Sequence, residues 1–423
     1  MAIERTESLA AVLRAIRGNH GITQPALIER VGWGRSVVAA RISELEAAGL
    51  VTTAGIGPST GGRAPRQLRL RAESGLVAGI GIGATRMEIG VADLAGRLLA
   101  RSEEQIEVAD GPEVVLGHAE KVVDELLARH AEGRALWGVG VGVPGPVEFA
   151  TGLPVAPPIM PGWDGYPIRD RLAQRYGAAT WVDNDVNLLA LGELHANPSA
   201  AAARDFLYVK IGTGIGAGLI SGGRLHRGTN GCAGDIGHVA AAETGGVICR
   251  CGNAGCLEAA AGGAALAREG RWLAETGGSP AMAAILAAKG TLRAADVTAA
   301  AHEGDPAAQA LLIRAGQLVG GTLATLVSFY NPALVVLGGE VSRTGDFVIA
   351  AIRESVQRRS LPLATRTLRI EPAALHEATG LTGAVHLVVD ELFAAHRLAL
   401  WLPGTTPAGH PELAARGAAP EPG

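Results

Sequence analysis

The texture of this sequence changes near residue 72, and that change limits the folds open to it. Before it, apolar residues recur at helical spacing. After it, short apolar runs end in glycine and alternate with amphipathic stretches. A chain of 423 residues also exceeds the size at which one core stops growing, about 250–300 residues. The expected organisation is a small unit over 1–72, an α/β unit over 73–400 and a tail over 401–423. The tail is rich in Pro, Gly and Ala, lacks periodicity, and reads as disordered.

In the small unit, a helix from about Thr6 to Arg17 places Leu9, Val12, Leu13 and Ile16 on one face. Thr23 is placed to cap a short second helix with Pro25 in its first turn, ending near Val31. Gly32-Trp33-Gly34 makes a tight connection. A third helix runs from about Ser36 to Ala48, with Val38, Ile42 and Leu45 as its buried stripe. A strand-like Leu50-Val51-Thr52, a turn from Gly55 to Gly62 and the alternating Arg66–Arg71 follow. Three helices and two strands with a basic turn describe a winged helix-turn-helix. In that motif the start of the second helix of the pair meets base edges. Arg35, Ser36 and Val37 are the candidates here, with Arg41 beside them, and Arg63 and Arg66 on the wing would touch the backbone or minor groove. Charge supports this. Residues 1–72 hold ten arginines against five acids, so with a chain total of −4 the rest carries −9. The competing interpretation is a helical lid with solvated arginines.

The start, Met1–Arg5, has an acid and no apolar h-region, and no apolar stretch reads as long enough to span a bilayer. The expectation is a soluble cytoplasmic protein without a membrane partner. His238, Cys249, Cys251 and Cys256 read H-x10-C-x-C-x4-C. One imidazole and three thiolates suit a closed, structural Zn2+ site. Buried free thiols are the alternative. Cys232 falls outside the spacing and is expected to be a small buried residue.

Asp183–Asn187 follows an apolar strand and opens a helix. Its carboxylates and amides can bond sugar hydroxyls, or simply cap the helix. Gly212, Thr213, Gly214 and Gly216 form a glycine-rich turn between two strands, able to cradle a phosphate through backbone amides.

Together these runs resemble the ROK family of repressors, open reading frames and sugar kinases. The resemblance rests most specifically on Ala233–His238 followed by Cys249–Glu258. Gly142–Pro146, Pro161-Gly162-Trp163, Asn331-Pro332 and, from the family's regulators, Ser59–Arg63 add to it. It implies an actin-like, ribonuclease-H-like fold, with one lobe over 73–187 plus a C-terminal helix and the other over 188–378. It implies that Asn184, Asp185, Asp235, His238 and Glu258 face a sugar or sugar phosphate, with Asp185 matching the kinase base. Asp235 stands where the family usually has Glu. Gly81 stands where the kinases have an Asp that helps hold Mg2+ and phosphate, and Ala84 replaces a glycine. The expected function is a sugar-responsive DNA-binding regulator acting as a homodimer or homotetramer on double-stranded operator DNA. The alternative is a kinase of the glucokinase or N-acetylhexosamine type, using Asp185, ATP and Mg2+.

Overall fold

The computed structural model describes residues 2–19, 21–56, 65–241, 246–343, 346–374 and 378–415. The head opens with helix Ala2–Arg17, which buries Leu9, Val12, Leu13 and Ile16 as their spacing requires. A short strand β1 (Ile22–Thr23) follows. The Thr23 hydroxyl accepts from the Ala26 N–H at 3.5 Å, capping helix Gln24–Val31. Gly32, at φ 70, closes that helix in the left-handed region. The third helix, Arg35–Ala47, buries Val38, Ile42 and Leu45. Strands β2 (Val51–Ile56) and β3 (Arg66–Leu70) pair antiparallel, and β1 adds to the far side of β3. This is a winged helix-turn-helix.

The body repeats one sheet topology twice. In the first lobe, β4 (Leu76–Ile82), β5 (Arg86–Asp93) and β6 (Leu98–Gln105) form an antiparallel meander. Strands β7 (Leu136–Val143) and β10 (Ala179–Asn184) extend it in parallel beside β4, and a small pair, β8 (Val147–Glu148) and β9 (Leu153–Pro154), lies apart. In the second lobe, β11 (Phe206–Ile211), β12 (Ile215–Ser221) and β13 (Arg224–His226) meander. Strands β14 (Leu334–Gly338) and β15 (Arg369–Pro372) run parallel beyond β11. The orders β6-β5-β4-β7-β10 and β13-β12-β11-β14-β15 match strand for strand. Helices cover the parallel strands, so β4 and β14 read as nearly unbroken apolar runs.

Two helices join the lobes. Asp185–Ala196 leaves β10 and packs on β12 and β11, while Thr379–Leu392 lies against it and against β4 and β7. Glycines set their spacing. A Cβ on Gly192 would stand 2.1 Å from the Thr379 carbonyl oxygen, and one on Gly383 would stand 1.8 Å from that of Leu188. Only glycine allows so close a crossing.

The head is not tethered loosely. Its buried Leu9, Leu13 and Ile16 share one core cluster with Trp137, Leu398, Trp401 and Leu413 of the body. This corrects the expected disordered tail over 401–415. Trp401 stands edge-on to Trp137 at 5.4 Å, Leu413 is 3 % exposed, and the Arg397 Nε donates to the Leu413 carbonyl at 3.1 Å. Two apolar anchors and a buried backbone bond order a segment that composition alone marks as irregular. Residues 416–423 lie outside the described residues. A second correction concerns bilayer-length helices. Pro306–Tyr330, 25 residues long with mean hydropathy 1.5 over an 18-residue stretch, passes that test by length and composition. It serves as a core helix, burying Leu312, Val319, Leu323 and Val327 in the second lobe.

Candidate functional site

A cavity of about 890 Å³ opens between the lobes. It gathers Asn184, Asp185, Asp235, His238 and Glu258 with Gly212, Thr213, Gly214 and Gly216, all on one wall system. These come from the end of β10, the β11–β12 turn and the segment 231–258.

The β10 end is built by hydrogen bonds. Asp183, 2 % exposed, accepts from Arg227 Nε at 2.7 Å and from Asn187 Nδ2 at 2.8 Å. Its pairing compensates the burial of a carboxylate and fixes the strand-to-helix corner. Asn184 caps the next helix, its Oδ1 accepting from the Val186 N–H at 2.9 Å while its Nδ2 donates to the Gly145 carbonyl. The capping role raised for this run therefore belongs to Asn184. Asp185 points into the cavity, where Lys210 Nζ donates to its Oδ2 at 2.5 Å. Lys210 is the functional residue that sequence reasoning missed. Its signal was a lone cation in an otherwise buried strand, two residues before the glycine turn.

The glycine turn is a hairpin between antiparallel strands, as the following Leu219-Ile220 suggested. Its amides are partly committed. The Gly212 N–H donates to the Gly214 carbonyl at 3.0 Å, and the Ile215 N–H donates to Glu258 Oε2 at 3.0 Å. Glu258 thus ties the turn to the cysteine segment rather than only facing the cavity. Gly216 sits in the ladder opposite Lys210. In the matching hairpin of the first lobe, a Cβ on Gly81 of β4 would meet nothing nearer than 3.8 Å. Crowding does not explain the missing carboxylate. Glu88, directly opposite Gly81 in register, lines the cavity instead.

His238, Cys249, Cys251 and Cys256 bring their ligand atoms within 4.8 Å of one another, a group that could hold a metal ion. His238 Nδ1 lies 3.6 Å from Cys249 Sγ, and Cys251 Sγ lies 3.6 Å from Cys256 Sγ. Burial and the neighbouring thiols push Cys256 up to about 12, and burial raises Cys249, whereas the Asn253 N–H lowers Cys251. Three thiolates here call for a compensating cation. Cys232 is exposed on the cavity wall, not buried as its isolation in the sequence implied. It follows Gly231, whose φ of 88 turns the chain outward there.

On the head, Arg35 and Ser36 are exposed at the start of the third helix and Val37 is half-buried. Gly34 caps that helix without a side chain, so the N-terminal amides face outward beside Arg35. Arg41 departs from the expected contact set. Its side chain is 15 % exposed and pairs with Glu44 at 2.7 Å, because position 41 flanks the packed face through Ile42. Arg66, 65 % exposed, lies 3.6 Å from Glu46. Arg63 and the Ser59–Arg63 motif lie outside the described residues.

The model of the ROK family matches residues 77–391, and a winged helix-turn-helix DNA-binding model matches residues 6–52. The chain belongs to the ROK family. Among ROK relatives, the glucokinase of Halalkalibacterium halodurans is 30 % identical over 318 residues, 74 % of this chain and 94 % of that enzyme. The xylose repressor of Caldicellulosiruptor bescii is 26 % identical over 384 residues, 90 % of this chain and 95 % of the repressor. In structure, a ROK family transcriptional regulator, a homologue of the E. coli MLC protein, superimposes with a TM-score of 0.80 over 95 % of this chain and 99 % of its own at 20 % identity. The repressor and the regulator thus match nearly the whole chain, and the glucokinase about three quarters of it.

Proposed function

We propose that this chain is a sugar-responsive, DNA-binding transcriptional repressor that binds its sugar without phosphorylating it. The observation that carries the reading is the Lys210–Asp185 pair, set in a chain whose head presents Arg35 and Ser36 for a DNA groove. A general base must be free to take the proton of the attacking hydroxyl. Here an ammonium already occupies the carboxylate at 2.5 Å. At position 81 the carboxylate that would share Mg2+ and phosphate charge is replaced by hydrogen. Asp185, Asp235, His238 and Glu258 line the sugar end of the cavity, and an aldose or its phosphate fits the volume. Arg35, Ser36 and Val37 read base edges of double-stranded operator DNA, Arg66 contacts the backbone, and a homo-oligomer pairs two heads on half-sites.

Zn2+ is the metal that suits the cysteine group. Tetrahedral zinc separates two thiolate sulfurs by about 3.8 Å and a sulfur from an imidazole nitrogen by about 3.6 Å. The observed 3.6 Å separations agree with both. Four protein ligands leave no open position, so the ion would brace the 238–258 segment, and with it Glu258 and the glycine turn.

A thermal-shift screen of monosaccharides and their phosphates, followed by gel shifts with each hit, tests the repressor reading. A stabilising sugar that releases DNA is the expected result. The kinase alternative draws on the 30 % identity to a glucokinase and on Asp185 in the cavity. Sugar-dependent ADP release that Asp185→Asn abolishes would establish it instead.

A further inference from the structure

Where the head meets the body, three parts of the fold converge on one carboxylate. Arg17, the last residue of the head's first helix, donates through Nη2 to Asp390 Oδ1 at 2.5 Å. His195 Nε2 lies 2.9 Å from Asp390 Oδ2. The His195 ring stacks on His386 at 3.7 Å with planes 2° apart. His386 is buried, and its Nδ1 has no partner among the described residues. The ligand atoms of His195, His386 and Asp390 lie within 4.8 Å of one another, close enough to hold a metal ion, but one ion cannot lie in two parallel ring planes 3.7 Å apart, so the trio suits hydrogen bonding. Burial alone would raise Asp390, yet Arg17, His195 and His386 hold it well below the usual carboxylate range. Arg14 of the same head helix is lowered by burial and by the Arg224 cation of β13, and Asp390 opposes both. One carboxylate therefore meets the cationic end of the head helix.

The two body helices that end here begin at the cavity. Asn184 and Asp185 open the helix that ends beside His195, and Thr379 and Gly380 open the helix that carries His386 and Asp390. Their glycine crossing at Gly192 and Gly383 prevents either from sliding freely past the other. A 12-residue helix spans about 18 Å, so a tilt of about 10° at the cavity moves its far end by about 3 Å. That displacement is enough to break a 2.5 Å charge-assisted bond.

We propose that the Arg17–Asp390–His195 junction is the joint through which an occupied cavity repositions the DNA-binding head. The bond is made in one arrangement of the lobes and broken in the other, and the sugar selects between them by its differential affinity. This rests on the sugar-responsive reading above. Arg17 is 12 % exposed and faces the body, so its role is positional rather than a DNA contact.

The test uses the full chain, a duplex selected by the wild-type protein from a random pool, and D-xylose, D-glucose and N-acetyl-D-glucosamine as probes. For each protein, the ratio of DNA Kd with and without sugar is measured, alongside the sugar's own binding midpoint. Wild type should show a ratio within about 5–150-fold for at least one sugar. Arg17→Gln and Asp390→Asn should cut that ratio below about twofold while shifting the sugar midpoint less than about threefold. The charge exchange Arg17→Asp with Asp390→Arg should recover part of the ratio. If Asp390→Asn melts before assay, Arg17→Gln and the exchange decide. Variants keeping the wild-type ratio overturn the joint and leave the repressor reading standing. Variants losing sugar binding as far as they lose coupling also overturn it, since a merely structural role would do that. A wild-type protein whose DNA affinity ignores every sugar it binds overturns both.

Discussion

The two lobes share one strand order but not one chemistry at their matching hairpins. In the first lobe, β4 carries Gly81 just before the β4–β5 turn, where a Cβ would fit without a clash, and Glu88 stands opposite it across the ladder. In the second, the β11–β12 turn follows Lys210 and hands its Ile215 amide to Glu258. The two matching hairpins thus differ in what stands beside them. One has no side chain at position 81, where under the proposed function a carboxylate for a phosphate-metal complex is missing. The other has one of its amides taken by a protein carboxylate, and its Lys210 pairs with Asp185 at the end of β10. The second lobe also carries the His238, Cys249, Cys251 and Cys256 group that could hold a metal ion, and under the proposed function that ion braces its turn.

That asymmetry can be broken most severely through the brace. Chelation, or Cys251→Ser with Cys256→Ser, should lower stability by several kcal/mol, since structural zinc binding is worth about 10–16 kcal/mol at neutral pH in small domains. Hydrogen exchange should rise first in 231–263 and leave β4 and β7 protected. Uniform exchange across both lobes would show that the cluster does not brace one lobe selectively. Next, Gly192→Ala should destabilise by about 1–3 kcal/mol or more in denaturant melts, because its Cβ would stand 2.1 Å from a carbonyl oxygen. A neutral result would mean that the lobe-joining helices yield easily. On the head, Arg35→Ala should weaken operator binding by about 1–3 kcal/mol, and unchanged gel-shift affinity would remove it from the reading set. Smallest is Arg66→Ala. It should reduce the salt slope of DNA binding by about one without changing sequence preference. Gly81→Asp should leave ADP release at background, because Lys210 still holds Asp185. Measurable turnover there would place the whole block in the first lobe.

Local signals were legible in the sequence where a residue's role depends on its neighbours along the chain. The helix faces of the head, the Thr23 cap and the cysteine spacing are of this kind, and each has a counterpart in the structure. What escaped depends on partners far apart in sequence. Lys210 and Asp185 are 25 residues apart, and Arg17 and Asp390 are 373 apart. The 401–415 segment failed for a related reason: its order comes from Trp137 and Arg397, not from its own periodicity. The turn of Arg41 was not legible because a long side chain at the edge of a packed stripe can point either way, and here Glu44 draws it in.

The proposed function requires that cavity occupancy and DNA affinity be linked without phosphoryl transfer. Fluorescence anisotropy of a labelled operator duplex, titrated with the full chain with and without a stabilising monosaccharide and with no nucleotide present, tests this most directly. The expected result is a DNA Kd raised at least about fivefold by the sugar alone. A Kd that the sugar leaves unchanged would contradict it.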